Sequence, residues 1–395
     1  MLRVAYLFER FPSFGQTFCY REVAELIRQS AEVSIFAIRK PKDEPPQDWD
    51  EAIVRRVVYL PEEAELVQEI EGALRRGELP AEAVAALKEW GRQSDFLRLY
   101  QAAYVGLRLQ KPAIRRVHAH FAGMAARTAY WINKFFRIDF SVTAHANDIF
   151  APRDFVVSLE KIFDAATAIV TVSDFAVAQL KQRYPANAPK LHRVYNGIEV
   201  ERFRLANCKS PIPLIVSVGR LIEKKGFSDL IAACAELKTR AHVFRCEIVG
   251  EGPLQSSLER QIHDSRLQDV VALVGPRRQH QVIERLAAAD VFVLPCTREK
   301  DGGMDNLPTV VMEAMAAGLP VISTPLAGVP EMVVPDLTGE LVPERDVQAL
   351  AAAIERLLSQ PERTRELGRA GRALARERFS IEANVSKLGE IMAGG

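Results

Sequence analysis

The sequence is short of the features that would place it outside the cell or within a membrane. Only five of its 395 residues are cysteine (Cys19, Cys208, Cys234, Cys246 and Cys296). They are scattered, with no Cys-x-x-Cys pair and no histidines at zinc-ligand spacing, so neither a disulfide framework nor a zinc site organises the chain. Reduced, buried, cytosolic cysteines are expected instead. Excess charge is lacking too: 52 Lys and Arg against 51 Asp and Glu leave a net charge of +1, which gives no global footprint for nucleic acid. No apolar run approaches a membrane span. The opening MLRVAYLFERFPSF meets Glu9 and Arg10 early and reads as a first strand, not a signal peptide. The G-x-G-x-x-G fingerprint is missing as well, which disfavours a nicotinamide dehydrogenase.

What is present is a repeated alternation. Short apolar runs RVAYLF, EVSIFAI, RRVVYL, VHAHF, FSVTAH and AIVTVS are separated by helical segments such as 16–29, 81–108 and 122–136. After the polar, proline-bearing stretch RLANCKSPIP (204–213) the pattern restarts with LIVSVG, FRCEIVG, VVALVG, VFVLP and PVIST. Strand, helix, strand order predicts parallel sheets covered on both faces, and the length suits two such cores. The expected architecture is α/β, two doubly wound domains in tandem, with 204–213 as linker and PKDEPPQDWD (41–50) as an exposed loop.

In doubly wound sheets ligands sit at the carboxyl ends of strands. After LIVSVG come Gly219 and Arg220, and then KKG with Lys225. Two cations beside a helix N-terminus suit a diphosphate, although EKK is equally an ordinary solvated loop. Gly250 and Gly252 in VGEGPL would allow close backbone approach to a ligand.

The stretch KDGGMDNLPTVVMEAMAAGLPVIST (300–324) places Glu313 inside an apolar helix, expected over 308–317, with Asp305 and Asn306 as capping residues. An unpaired buried carboxylate is costly, so Glu313 requires donors. A salt bridge to Arg220 or nearby backbone would supply them; so would the paired hydroxyls of a ribose.

SVGRLIEKKG, VGEGPL, ADVFVLPC and DNLPTVVMEAMAAGLPVISTPLAGVPEMV, in that order, resemble the C-terminal domain of family 4 retaining glycosyltransferases with the GT-B fold. FPSFGQTFCYREVAEL, EVSIFAIR, VHAHFA, FSVTAHANDIF and VSDFAVAQLKQRY through VYNGIEVERF resemble the N-terminal half of members that build exopolysaccharide or lipopolysaccharide, including the colanic-acid type. The resemblance implies two Rossmann-like domains facing across a cleft, 1–205 and 206–379, with a last helix at about 380–395 crossing back to the first domain. It implies a nucleotide-sugar donor, UDP- or GDP-linked, and a glycan or lipid-linked acceptor. It also implies roles for single residues. Glu313 matches the second acid of the family's acid, seven residues, acid motif and would hold the ribose. Asp305 stands at the first acid position, where Glu is usual; being one methylene shorter, it reaches the sugar differently or merely caps the helix. Asn306 and Leu307 would offer N–H groups to the diphosphate, which Arg220 and Lys225 would neutralise. Gly15 would let the first domain close on the phosphates. Gly219, Gly250 and Gly252 would shape the nucleotide pocket, with Arg277 near the base. His145, at a strand end before Asn147 and Asp148, would lie near the transferred sugar, with His120 lining the pocket and His118 in the core. No Asp-x-Asp triplet stands among these motif residues, and no metal or other cofactor is expected.

The acceptor side is less legible. Trp90, Phe96, Leu97, Tyr100, Trp131, Phe135 and Phe136 are interleaved with Arg98, Arg108, Lys111, Arg115, Arg116, Lys134 and Arg137. Such a mixture suits anionic headgroups, and so a peripheral association with the inner membrane, or equally an ordinary helix surface. A nucleotide-sugar epimerase and a non-catalytic sugar-nucleotide-binding subunit remain alternative readings.

Overall fold

A computed structural model describes residues 2–90, 95–110, 114–151, 155–206 and 210–394. The first sheet has seven parallel strands: β1 (Arg3–Arg10), β2 (Glu32–Arg39), β3 (Val57–Tyr59), β4 (Arg116–His120), β5 (Asp139–Ala144), β6 (Ala168–Thr171) and β7 (Leu191–Arg193), in the order β3-β2-β1-β4-β5-β6-β7. The second has six: β8 (Leu214–Val218), β9 (Arg245–Val249), β10 (Val271–Gly275), β11 (Val291–Leu294), β12 (Val321–Ser323) and β13 (Gly339–Leu341), in the order β10-β9-β8-β11-β12-β13. Every adjacent pair is parallel. Both are Rossmann-like, as the alternation predicts. The sequence reading passed over β7 and β13, three-residue edge strands with too few apolar side chains to show a period.

Side-chain alternation along β1 shows why the first sheet is buried on both faces. Ala5 and Leu7 join Val105, Ile132 and Phe140 in one core, beneath helices Leu97–Gln110 and Met124–Phe136. Val4, Tyr6 and Phe8 point the other way, against Val23 and Leu26 of helix Thr17–Arg28 and Val385, Leu388 and Met392 of helix Ile381–Gly394. The chain's last helix therefore completes the first domain.

The outward and return crossings lie side by side. Ile198 N–H donates to Phe379 O (2.8 Å) and Ile381 N–H donates back to Ile198 O (3.1 Å). A Cβ at Gly197 would stand 2.5 Å from the Ile381 Cα, so only glycine fits the crossing. Residues 204–206 are held on the second domain, with Ala206 N–H donating to Ala317 O (2.7 Å); Cys208 lies outside the described residues, and the other four cysteines are free and buried.

Two expectations are corrected by packing. The 41–50 loop is not simply exposed: Gln47 Oε1 accepts from Gln279 N–H (2.6 Å) and Asp48 Oδ2 from His280 N–H (3.0 Å), tying the first domain to the second. The aromatic and basic mixture is not one surface. Trp131, Phe135 and Phe136 belong to the core, because the helical period that made them conspicuous is the period of a buried face. Arg98 is buried beside Asp95, while Arg115, Lys134 and Arg137 remain exposed; Lys111 lies outside the described residues. Among the described residues no helix is long and apolar enough to cross a membrane.

Candidate active site

The second domain's wall of the cleft begins where β8 ends. The chain turns through Gly219 and Arg220 into the short turn Glu223–Lys225 and then helix Phe227–Thr239. Lys225 Nζ lies 2.5 Å from Asp305 Oδ2, and Lys224 Nζ lies 3.6 Å from Asp305 Oδ1. Burial pushes the Asp305 carboxyl up, but the two ammonium groups outweigh it and hold the pKa below its ordinary value. Burial likewise works against the Lys225 charge, and Asp305 more than restores it, raising that pKa. Asp305 does not cap the following helix. That helix runs Thr309–Ala316, its N-cap is Pro308, and no side chain caps it. The lysines have claimed the carboxylate, and Lys224, to which the sequence assigned no role, is part of the cluster.

The remaining residues expected on this wall are not all brought together. Arg220 projects outward and its guanidinium bonds no described residue. Gly250, at φ +143°, is required for a different reason from ligand approach: a Cβ there would stand 1.9 Å from Gly219 O, and one at Gly252 would stand 2.6 Å from Leu221 O. These glycines let two strand-end loops pack on each other. Arg277 donates to Pro276 O (2.9 Å) and borders a shallow depression with Arg245 and Glu247, apart from the lysine cluster. Asn306 and Leu307 are buried. Asn306 Oδ1 accepts from Ser173 Oγ across the domains (2.6 Å), whereas the backbone N–H groups of Asn306 and Leu307 bond no described residue.

Glu313 has a partner no spacing rule could supply. It is 3% exposed, and its Oε1 accepts from Arg21 Nη2 of helix Thr17–Arg28 at 2.5 Å. The donor is thus Arg21 and not Arg220. Arg21 Nη1 is buried with no hydrogen bond, and Arg21 borders a cavity of about 490 Å³ together with Tyr20, Asp48, Trp49, Arg202 and Gln279.

The first domain's wall is built of imidazoles. β4 ends at His120, and in register beside it β5 continues to Ala144, so His145 emerges next to His120. His145 Nε2 lies 3.2 Å from His120 Nδ1, with the rings 4.9 Å apart and 14° from parallel. His120 Nε2 is 3.4 Å from Glu22 Oε1, which accepts from Tyr6 Oη (2.8 Å). Burial works against the His120 charge, yet Cys19 and Glu22 raise its pKa to about 10. His145 is pushed well down by burial and by His120. His118, between Ser141 Oγ (2.8 Å) and Thr143 Oγ1 (3.0 Å), is driven to about 3 by burial. His120 therefore does not line a pocket; like His118 it is fully enclosed, and only His145 reaches the cleft side. The Asp148 carboxylate accepts from His145 N–H and Ala122 N–H (2.9 Å each) and fixes the loop. Gly15 is exposed, with nothing within 4 Å of a Cβ built there.

The two walls meet. Lys224 Nζ donates to Asn147 Oδ1 (3.1 Å), two residues beyond His145. Glu331 of the second domain accepts from Asp174 N–H and Phe175 N–H (3.0 Å each), at the positive end of helix Asp174–Arg183. Among the described residues no group of three His, Cys, Asp or Glu is arranged to hold a metal ion. Arg21, Glu22 and Lys224 escaped sequence reading; the one signal was that CYREVAEL puts charge on an otherwise buried helix face.

Comparison with known proteins agrees with this arrangement. Residues 15–202 match the family model described as Glycosyltransferase Family 4, and residues 202–374 the model described as Glycosyl transferases group 1. The chain is 32% identical over 369 residues to the putative colanic acid biosynthesis glycosyltransferase WcaL of Escherichia coli (89% of each chain), and 38% identical over 207 residues to the amylovoran biosynthesis glycosyltransferase AmsK of Erwinia amylovora (52% of this chain, 51% of AmsK). Its fold matches that of Anabaena HepE crystallised with UDP, at a TM-score of 0.75, 16% identity and coverage of 99% and 100% of the two chains. Two facing Rossmann-like domains, a crossing C-terminal helix and these matches together make the chain a GT-B glycosyltransferase of family 4.

Proposed function

We propose that this glycosyltransferase moves a sugar, with retention of anomeric configuration and without a metal ion, from a nucleoside-diphosphate donor to a glycan or lipid-linked glycan acceptor. The observation that carries this reading is the Lys224, Lys225 and Asp305 cluster meeting the His145 loop across the cleft, 3.1 Å from Lys224 to Asn147. Breaking the sugar-to-phosphate bond leaves its electron pair on the diphosphate and positive character on the sugar ring, so cations fixed at the departing phosphate lower the barrier. Lys224, Lys225 and the unengaged N–H groups of Asn306 and Leu307 supply that field. Asp305, locked between two ammonium groups, is a poor general base. The acceptor hydroxyl's proton therefore goes to the departing phosphate oxygen as the new bond forms on the same face. Glu313 binds the ribose hydroxyls when the donor displaces Arg21 from it. Names of the relatives, colanic acid and amylovoran biosynthesis, support an acceptor in polysaccharide biosynthesis, and we place its use at the cytoplasmic face of the membrane.

The test is a proton NMR time course of purified protein with UDP-, GDP- and ADP-sugars, followed by addition of lipid-linked acceptors. The expected result is slow release of free sugar and nucleoside diphosphate from one donor, accelerated by an acceptor. Accumulation of an epimeric sugar would replace this reading with an epimerase; nucleotide binding with no turnover under any acceptor would replace it with a binding subunit.

A further inference from the structure

The buried chain Tyr6, Glu22, His120 and His145 is more than packing: with Glu22 ionised, the ion-pair approach of His120 to it and the contact between the two imidazoles admit two protonation patterns. His120 has one nitrogen toward Glu22 (3.4 Å) and the other toward His145 Nε2 (3.2 Å). If His120 carries one proton, that proton belongs on Nε2 facing the carboxylate; its bare Nδ1 must then accept from His145, which holds its own proton on Nε2. If His120 carries two, its Nδ1–H donates and His145 Nε2 must be bare, leaving the single His145 proton on Nδ1.

We propose that Glu22 holds His120 as an imidazolium and that this pair fixes His145 as the neutral Nδ1–H tautomer, presenting a hydrogen-bond donor to the transferred sugar. The function assigned to that donor rests on the site reading above; the protonation pattern does not.

Three observations favour the doubly protonated pattern. Glu22 accepts from Tyr6 Oη at 2.8 Å, which stabilises its ionised form and leaves a negative charge beside a fully enclosed imidazole. A mostly buried carboxylate gains from a countercharge, and among the described residues no lysine or arginine is bonded to Glu22, so His120 is the group that supplies it. At His120 Nδ1 the competing neighbour is the Cys19 sulfur at 3.6 Å, farther away and a weaker acceptor than an imidazole nitrogen at 3.2 Å. The raised pKa of His120 and the lowered pKa of His145 and Glu22 agree in direction. The Asp148 N–H at the start of helix Ala146–Phe150 donates to His145 O (2.9 Å), which leaves a proton on His145 Nδ1 free for a ligand. Phe18 and Phe121 flank the ring, with centroids 5.0 and 4.6 Å away, and hold its plane. Glu22 and His120 touch no substrate; they are positioning residues that act through His145.

Nitrogen-15 NMR of the full-length protein labelled at its seven histidines reads the pattern directly, with His145 assigned from a His145→Gln sample. The expected spectrum of the unmodified protein at neutral pH shows His145 protonated on Nδ1 alone and His120 protonated on both nitrogens. A His145 protonated on Nε2 in the unmodified protein would overturn the proposal. Glu22→Gln should remove the second His120 proton and flip His145 to Nε2–H, and lower kcat by roughly tenfold to a hundredfold, as outer partners that orient a functional imidazole do, with KM for the donor little changed. Glu22→Asp should keep the Nδ1–H tautomer and recover most of the rate. A flip without any change in kcat would leave the protonation pattern standing and refute the role of His145 in transfer.

Discussion

The two walls of the cleft solve the problem of burying charge in opposite ways. The second domain puts flexible ammonium groups and one carboxylate at the mouth of β8, where Lys224, Lys225 and Asp305 neutralise each other. On the proposed reading incoming phosphates exchange for that carboxylate with little reorganisation. The first domain places its charge a layer deeper, in a Glu22 and His120 pair behind His145, the imidazole fully buried and the carboxylate mostly so. On the proposed reading that pair acts through what His145 presents, so that one wall binds charge and the other fixes a tautomer.

The largest expected effect separates the walls by their chemistry. Lys225→Ala should lower transfer by roughly 10²- to 10³-fold, the scale of removing a preorganised electrostatic group, while leaving the first domain's histidine spectrum unchanged. A smaller loss than tenfold in single-turnover transfer would show that the diphosphate is neutralised elsewhere, with Arg220 the next residue to remove.

Arg21→Ala tests the contact that joins the walls. It leaves Glu313 buried without its donor, and breaking a pair this enclosed costs about 3–5 kcal/mol of stability. The loss should show in urea unfolding and shrink when a saturating nucleoside diphosphate is present, since ribose hydroxyls then take Arg21's place. A loss that nucleotide does not relieve would sink the assignment of Glu313 to the ribose.

A smaller effect follows from pH. His120 is raised to about 10 in the folded chain, against roughly 6.5 for an unperturbed histidine. A raised pKa contributes stability that is complete below the unfolded value and lost as pH rises through the folded one. The groups facing it are Tyr6, Cys19, Glu22, His118, His145 and Asp148. Between pH 6.5 and 10 the melting temperature of the unmodified protein should therefore fall more steeply than that of Glu22→Gln; parallel curves would argue against a charged His120. The smallest effect is expected at the clasp of the 41–50 loop: Asp48→Asn weakens a half-exposed bond to His280 at 2.8 Å and should cost under about 1 kcal/mol, read by chemical denaturation.

How much of this was legible depended on where partners lie along the chain. The second wall was readable because its residues follow strands directly: KKG after β8, and DNLP between β11 and β12. Strand ends announce themselves by apolar runs that stop at small residues. The first wall was half readable, since His145 follows a strand but Glu22 and His120 meet only after β1, helix Thr17–Arg28 and β4 have packed. Arg21 and Glu313 are 292 residues apart, beyond any periodicity. The aromatic helices stayed open to two readings for the same physical reason: amphipathic period records which face is covered and says nothing about whether lipid or protein covers it. Of the two roles open to Asp305 the capping one is not realised, because capping rules see the helix that follows and not the lysines of a neighbouring loop.

The most direct measurement is a calorimetric titration of UDP and GDP into the unmodified protein, Lys225→Ala and Glu313→Gln, with inorganic pyrophosphate in parallel. One nucleotide should bind the unmodified protein and bind each variant at least tenfold more weakly, while pyrophosphate loses affinity only in Lys225→Ala. Equal nucleotide affinity in all three proteins would contradict the placement of the donor diphosphate at the lysines and its ribose at Glu313.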